Sequence, residues 1–162
     1  MRKWTPAPRE WHGPRHARGL ALVEFVISMP LLLFLMFATA EFGRAFFHYA
    51  TLSNSVRDAA RFVSENAING TTGVVEITAT DITRAKNLAV YGNVFGAGQA
   101  ALPAFVPGHL QVIDAGGDNV RVTATYPYQS MLGATLPGFG STGASTPLNF
   151  NMQIAVTMRA IS

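Results

Sequence analysis

The sequence predicts an α+β protein: a long N-terminal helix, transmembrane and then amphipathic, packed on a small antiparallel β-sheet domain with a second short helix. Three patterns support this prediction. Residues 20–40 are predominantly apolar, and a helix of that length, at about 1.5 Å per residue, is long enough to cross a bilayer. Residues 41–69 continue with helical spacing. Much of 70–162 alternates between apolar and polar side chains, which is typical of strands with one buried face.

Charge is distributed unevenly along the 162 residues. The basic leader, residues 1–19, has five basic side chains and one acidic one, whereas residues 20–162 have seven basic and eight acidic ones. Basic residues beside an apolar span remain on the cytoplasmic side of the membrane. We therefore predict a cytoplasmic N-terminus, a single span in lipid, an exported C-terminal domain and no nucleic-acid partner.

The transmembrane segment, residues 20–40, contains a single charged residue, Glu24. A carboxylate in such a span is unfavourable and calls for an explanation. In one interpretation the segment is an uncleaved anchor and Glu24 reaches back to the interface beside Arg18. In a second, a secretory signal is cut after Ala40, which ends the small-x-small sequence 38–40, and the domain is secreted.

A third interpretation places the cut after Gly19, on the cytoplasmic side, and leaves the span in the mature protein. This cut creates a new α-amino group on Leu20. Its positive charge is then available to the carboxylate of Glu24, most naturally that of a neighbouring subunit, because paired charges are tolerated in hydrocarbon where a single one is not. The residues alone leave the three interpretations open.

The amphipathic extension, residues 41–69, carries an apolar stripe with heptad-like spacing. Its positions are Phe42, Ala45, Tyr49, Leu52, Val56, Ala59 and Val63. Such a stripe packs either on another helix or on the chain's own domain, and both can hold at different points along it. Gly43 is a weak point of this helix, and Asn69-Gly70 is the predicted end.

The exported domain, residues 70–162, is predicted to be mixed. We expect a short strand at 75–79, a helix at 82–91 capped by Thr80 or Asp81 and closed by Gly92, and a loop at 92–108. A hairpin of strands 109–114 and 120–128 follows, then a surface loop at 130–147 and a long strand at 148–160.

Residues typical of catalysis or metal binding are sparse. There is no cysteine, which excludes disulfides, thiolate metal sites and a cysteine nucleophile. The common hydrolase, phosphate-loop and metal-finger motifs do not occur in the sequence, and His48 and His109 have no evident partner. We expect no enzymatic activity, no metal and no cofactor.

The segment from Gly19 to Phe25, Gly-Leu-Ala-Leu-Val-Glu-Phe, resembles the processing site of type IV prepilin-like proteins. Together with Pro30, the sequence Glu-Phe-Gly-Arg at 41–44 and the helix around 55–61, it is similar to the TadE-like pseudopilins of the tight-adherence (Flp) pilus system. The resemblance covers about residues 18–62.

This resemblance implies a minor pilin-like protein of the bacterial inner membrane that helps to assemble a pilus for adhesion or secretion. It implies cleavage after Gly19 by a prepilin peptidase and contacts with other pilin or pseudopilin subunits. It also implies that Leu20, Glu24 and Phe25 serve processing or assembly.

Overall fold

The computed structural model describes Met1 and residues 15–68, 75–133, 135–136 and 146–160. The chain forms two compact units, Met1–Ala40 and Glu41–Ser162. Most of the predicted leader, the predicted helix end at Asn69-Gly70 and most of the predicted loop at 130–147 lie outside the described residues. Within the described part, a long helix, a shorter helix and a three-stranded antiparallel sheet confirm the predicted α+β class.

Helix α1 runs from Arg15 to Asn66 and includes Pro30. In the first unit its side chains from residue 19 onward are exposed or partly exposed. Two hydroxyl groups in this apolar stretch donate to carbonyls of the preceding turn: Ser28 Oγ to Phe25 O at 3.1 Å, and Thr39 Oγ1 to Leu35 O at 2.8 Å. Such bonds satisfy the hydroxyl groups within the helix itself.

The second unit is built on a sheet with strand order β1-β2-β5. Strands β1 (Leu110–Gly116) and β2 (Asn119–Tyr128) form the predicted hairpin, and β5 (Phe150–Arg159) pairs antiparallel with the other edge of β2. Gly117 and Asp118 both have a φ of 60° at the hairpin turn. A two-residue turn with positive φ at both positions matches the twist of paired strands.

The core of this unit lies between the sheet and its two helices. Strand β2 alternates between buried and more exposed residues, and its buried side chains join one cluster with the apolar stripe of α1 and with α2 (Ala79–Tyr91). The members that are fully buried from α1 and β2 are Leu52, Val56, Ala59, Ala60, Val63, Val120, Val122 and Ala124. Burial of these faces drives the packing of α1 on the sheet.

The predicted strand at 75–79 is wrong. Val75 forms a single bridge with Ile68, and Ala79 already begins α2. The reason is a local cap: Thr78 Oγ1 accepts a hydrogen bond from the backbone N–H of Asp81 at 3.2 Å and donates to Asp81 Oδ2 at 2.6 Å. Satisfying a free helix N–H outweighs the alternating pattern. Helix α2 therefore starts at Ala79 and not at 82, although its end at Gly92, with φ of 71°, is as predicted.

Two further boundaries differ from the sequence prediction. Helix α1 ends at Asn66 and strand β5 begins at Phe150, so Leu148 and Asn149 lie outside the strand. Within the predicted surface loop, Thr135–Leu136 (β3) and Thr146–Pro147 (β4) pair as a two-stranded ribbon.

Candidate functional site

The first candidate site is the apolar part of α1. By its length and composition this helix can cross a membrane, and none of its apolar window is buried. Large apolar side chains such as Leu20 and Phe25 are 74% and 58% exposed. An apolar surface of this size is unfavourable in water and favourable in lipid. The helix therefore fits a single-pass membrane protein.

The predicted processing residues Gly19, Leu20, Glu24 and Phe25 all lie in this part of α1 and are exposed. Glu24 lies on a face whose other members are Leu20, Val23, Ile27, Ser28 and Leu31. A Cβ added to Gly19 would meet no atom within 4 Å. The fold itself therefore gives no steric reason for a glycine at position 19.

The second candidate site is a polar cluster in the second unit, where the first turns of its helix meet the end of β2. Glu41 Oε1 accepts a hydrogen bond from Tyr128 Oη at 2.7 Å and from the backbone N–H of Met131 at 3.3 Å. Arg44 donates from Nε to Tyr128 Oη at 3.3 Å and from Nη2 to the carbonyl of Gln129. Its guanidinium lies 5.2 Å from the centre of the Tyr128 ring, a cation–π contact.

This arrangement alters the ionisation of the cluster. Burial by itself raises the pKa of Glu41, but hydrogen bonds from Tyr128 and Ser130 and the charge of Arg44 outweigh burial and hold that pKa below 4.5. For Tyr128, burial and the bond to Glu41 together raise the pKa. The cluster thus holds an ionised Glu41 and a neutral Tyr128, the pair that gives a strong charge-assisted hydrogen bond.

His48 extends the cluster one turn further along α1 and is only 6% exposed. Its Nδ1 is 3.3 Å from Tyr126 Oη, and that hydroxyl donates to the carbonyl of Pro103 at 2.9 Å. A carbonyl can only accept a hydrogen bond, so the hydroxyl proton of Tyr126 is used in the bond to Pro103. The bond between His48 and Tyr126 therefore needs Nδ1–H of His48 as the donor. Burial lowers the pKa of His48, and the charge of Arg44 lowers it further against the opposing effect of Glu41.

Sequence reasoning missed this cluster. Glu41, Arg44 and His48 are each visible in the sequence, but no partner of His48 is evident from it. The available signal was their spacing of three and four residues, which places them on one face of a helix, together with two tyrosines on alternate positions of β2. What could not be predicted was the placement of that face against Tyr126 and Tyr128, which are 78 and 87 residues away from their partners.

The predicted helix-partner stripe divides into two parts. Leu52, Val56, Ala59 and Val63 are 0% exposed and belong to the chain's own core, so in this chain they pack on its own domain. The N-terminal part remains accessible: Phe42 and Tyr49 are 65% and 52% exposed, and Ala45 is half-buried.

Together these features define a membrane-type helix whose continuation is fixed to a small α+β domain by a partly buried polar cluster. The family model of TadE-like proteins matches residues 19–61. The resemblance to that family is therefore confirmed over the apolar span and most of the helix that follows, and the sheet lies outside the match. A search of curated proteins found no match, and a search of solved structures found none. The match and the helix support a membrane protein related to the tight-adherence pilus.

Proposed function

We propose that the chain is a minor, pilin-like subunit for assembly of a tight-adherence (Flp) pilus, and that a prepilin peptidase cleaves it after Gly19. The mature protein begins at Leu20, spans the inner membrane once and carries its α+β domain on the periplasmic or extracellular side. Its partners are the peptidase, other pilin or pseudopilin subunits and membrane lipid.

The observation that carries this proposal is that Gly19 and Glu24 occur together at the start of the apolar span. Glu24 is exposed on a helix face that is otherwise apolar except for Ser28, and a carboxylate in hydrocarbon is unfavourable unless a positive group meets it. Gly19 has open space around its Cα, so the fold does not require a small residue there, whereas a protease that binds the backbone closely would. The family match begins at this same glycine.

The proposed steps follow from these positions. Hydrolysis of the peptide bond between Gly19 and Leu20 releases the basic leader, with one water supplying the new carboxylate and amine. The new α-ammonium group of Leu20 then pairs with the carboxylate of Glu24 on a neighbouring subunit, which neutralises both in the hydrocarbon. Assembly thereby becomes dependent on processing.

N-terminal sequencing of the protein purified from membranes tests the cleavage directly. The proposal expects Leu20 as the first residue. Met1 would support an uncleaved anchored domain with a binding role, and Glu41 a secreted domain released after Ala40; either result overturns the proposal.

Two substitutions separate processing from assembly. Gly19→Ala should slow the appearance of the shorter form, whereas Gly43→Ala, the same change at another open helix position, should leave cleavage unchanged. Glu24→Ala should spare membrane insertion and impair pilus formation. Normal pilus formation by Glu24→Ala would show that the carboxylate only reaches the interface and that the pairing does not occur.

A further inference from the structure

The second unit carries an apolar groove that its own core does not use. We call it the aromatic groove; it has a volume of about 310 Å³ and is lined by Phe42, Ala45, Phe46, Tyr49, Phe150 and Met152. Three of its rings are largely open to solvent: Phe46 is 72%, Phe42 is 65% and Phe150 is 51% exposed. Clustered exposed aromatics of this kind mark a surface that contacts another protein, a ligand or a membrane.

Two separate elements build the aromatic groove. Positions 42, 45, 46 and 49 follow the i, i+3, i+4, i+7 spacing of one helix face. Strand β5 contributes its first residue, Phe150, together with Met152 on the same side of the strand. The strand residue is thus far from the span in sequence but shares a surface with the helical turns that directly follow it.

The position of these turns identifies the occupant. Phe42 and Phe46 follow Ala40, the last residue of the apolar span, by two and six residues. At about 1.5 Å per residue of helix they lie roughly 3 and 9 Å beyond the end of the span. The headgroup region on each side of a bilayer is about 5–8 Å thick. Phe42 starts within this region, where aromatic side chains are enriched. Phe46 and Tyr49 start at or beyond its outer limit, but side chains on a helix point back toward its N-terminus, which directs their rings toward the headgroups.

The neighbouring charges do not oppose contact with lipid. Glu41 and Arg44, the charged residues of the same helical turns, bond to Tyr128 and the 129–131 backbone within the polar cluster. The six residues that line the groove include none with a charged side chain. Apart from the hydroxyl of Tyr49, the side chains that line the groove are apolar.

We propose that the aromatic groove lies in the headgroup region of the membrane and is filled by lipid. Phe150 then anchors the β-sheet to the bilayer surface, in addition to the covalent attachment through the span. This inference depends on the proposed membrane insertion. It adds a second, non-covalent contact between the exported domain and the leaflet from which that domain emerges.

Spin labelling can test this contact, because the chain has no cysteine and single cysteines can be introduced into the full-length protein. The protein is reconstituted into vesicles of phosphatidylethanolamine and phosphatidylglycerol and labelled at Phe46→Cys or Phe150→Cys. Collisions of the label are measured with oxygen, which concentrates in lipid, and with a water-soluble nickel chelate. Matched controls are Ile113→Cys on β1 and Phe95→Cys, whose native side chains are 49% and 88% exposed.

The expected result is an oxygen-to-nickel collision ratio clearly higher at 46 and 150 than at 113 and 95. If the oxygen-to-nickel ratio at 150 equals that at 113, water fills the groove. If the label at 150 collides with neither oxygen nor nickel, a second protein copy covers the groove. Each result overturns the inference. A label at Leu33→Cys reports the span independently. High oxygen access at 33 with a water-like ratio at 150 would reject the groove contact while leaving the proposed function intact.

Discussion

Tyr128, the last residue of β2, donates its phenolic proton to Glu41, 87 positions earlier, at 2.7 Å. Glu41 is the first residue of the second compact unit. The bond therefore fixes the beginning of this unit's helix to the end of its central strand. Arg44 supports the same contact by donating to the tyrosine oxygen and lying against its ring.

Removing this bond should destabilise the domain. Tyr128→Phe deletes the hydroxyl that bonds to the carboxylate, and hydrogen bonds to charged groups contribute about 1.5–3 kcal/mol to the free energy of unfolding. We expect a loss in this range in urea unfolding of the detergent-solubilised protein, followed by near-ultraviolet circular dichroism. Tyr49→Phe, which alters a half-exposed ring, is the control and should change stability by less than about 0.5 kcal/mol. Equal effects of the two substitutions would mean that the bond to Glu41 is not a stabilising contact.

The buried imidazole of His48 should make stability depend on pH. In the unfolded chain His48 takes up a proton near its ordinary pKa of 6.5, whereas the folded pKa lies lower because of burial and Arg44. Between the two values the unfolded state binds more protons, so the free energy of unfolding falls as the pH decreases through 6.5 toward the folded pKa. Above 6.5 this contribution to stability is fully present.

His48→Gln tests this dependence because it removes the titrating group and keeps a side-chain donor for Tyr126. Urea midpoints measured at about pH 7.5 and about pH 5.5 should differ less in the variant than in the parent chain. Glu41→Gln should keep or slightly enlarge this difference, because the charge of Glu41 opposes the lowering of the His48 pKa. It should instead reduce the loss of stability at more acidic pH, since the folded pKa of Glu41 is lowered and its contribution to stability, present above 4.5, is lost as the pH falls further. An unchanged difference between the two midpoints in His48→Gln would rule out the histidine as the source.

Because the apolar stripe of α1 packs in the core, replacing Leu52 by alanine should lower the free energy of unfolding more than replacing an exposed leucine. Leu52 is 0% exposed and belongs to the core cluster. Leu52→Ala should lower the free energy of unfolding by about 2–5 kcal/mol through lost burial and a residual cavity. Leu132→Ala, at a site that is 39% exposed, should lower it by less than half as much in the same urea titration. A small loss at Leu52 would indicate that this part of the stripe is held by contacts outside the chain's own domain.

Replacing Gly43 and Gly92 by alanine should change the stability of the protein in opposite directions. Gly43 lies inside α1, and a Cβ added there would meet no atom within 4 Å, so Gly43→Ala should stabilise the helix by about 0.5–1 kcal/mol. Gly92 closes α2 with a φ of 71°, and Gly92→Ala should destabilise the domain by about 1–2 kcal/mol because a Cβ is strained in the left-handed region. Thermal unfolding of both variants measures the two signs; a gain in stability at Gly92 would contradict the left-handed cap.

Much of the architecture was accessible from the sequence because it follows from short-range periodicity. The apolar run, the amphipathic continuation of α1, the hairpin of β1 and β2 and the long strand β5 all repeat with the period of their own secondary structure. The strand expected at 75–79 failed because a single hydroxyl, that of Thr78, begins α2 instead. Local capping overrode a pattern only a few residues long.

The polar cluster was harder to predict because it depends on tertiary placement. Nothing in the sequence near His48 indicates that Tyr126 and the carbonyl of Pro103 will complete its hydrogen bonds. Likewise, the stripe of α1 looks uniform in sequence, yet Val56 is buried and Phe42 is exposed, because the sheet covers only part of the helix. The candidate processing site depends on contiguous residues around Gly19 and Glu24, so it can be proposed from the sequence alone, and it stays a prediction.

The strand order β1-β2-β5 also constrains the sequence of events during biosynthesis. The central strand β2 acquires its second neighbour only when β5, the last described element, has been synthesised. The apolar segment of α1 leaves the ribosome long before that, while the core face of the same helix still has no sheet to cover it. Pairing between distant strands is slow relative to local helix formation. The apolar part of α1 is therefore available to a membrane before the sheet can close, and a chain arrested before β5 would have the helix without the completed sheet.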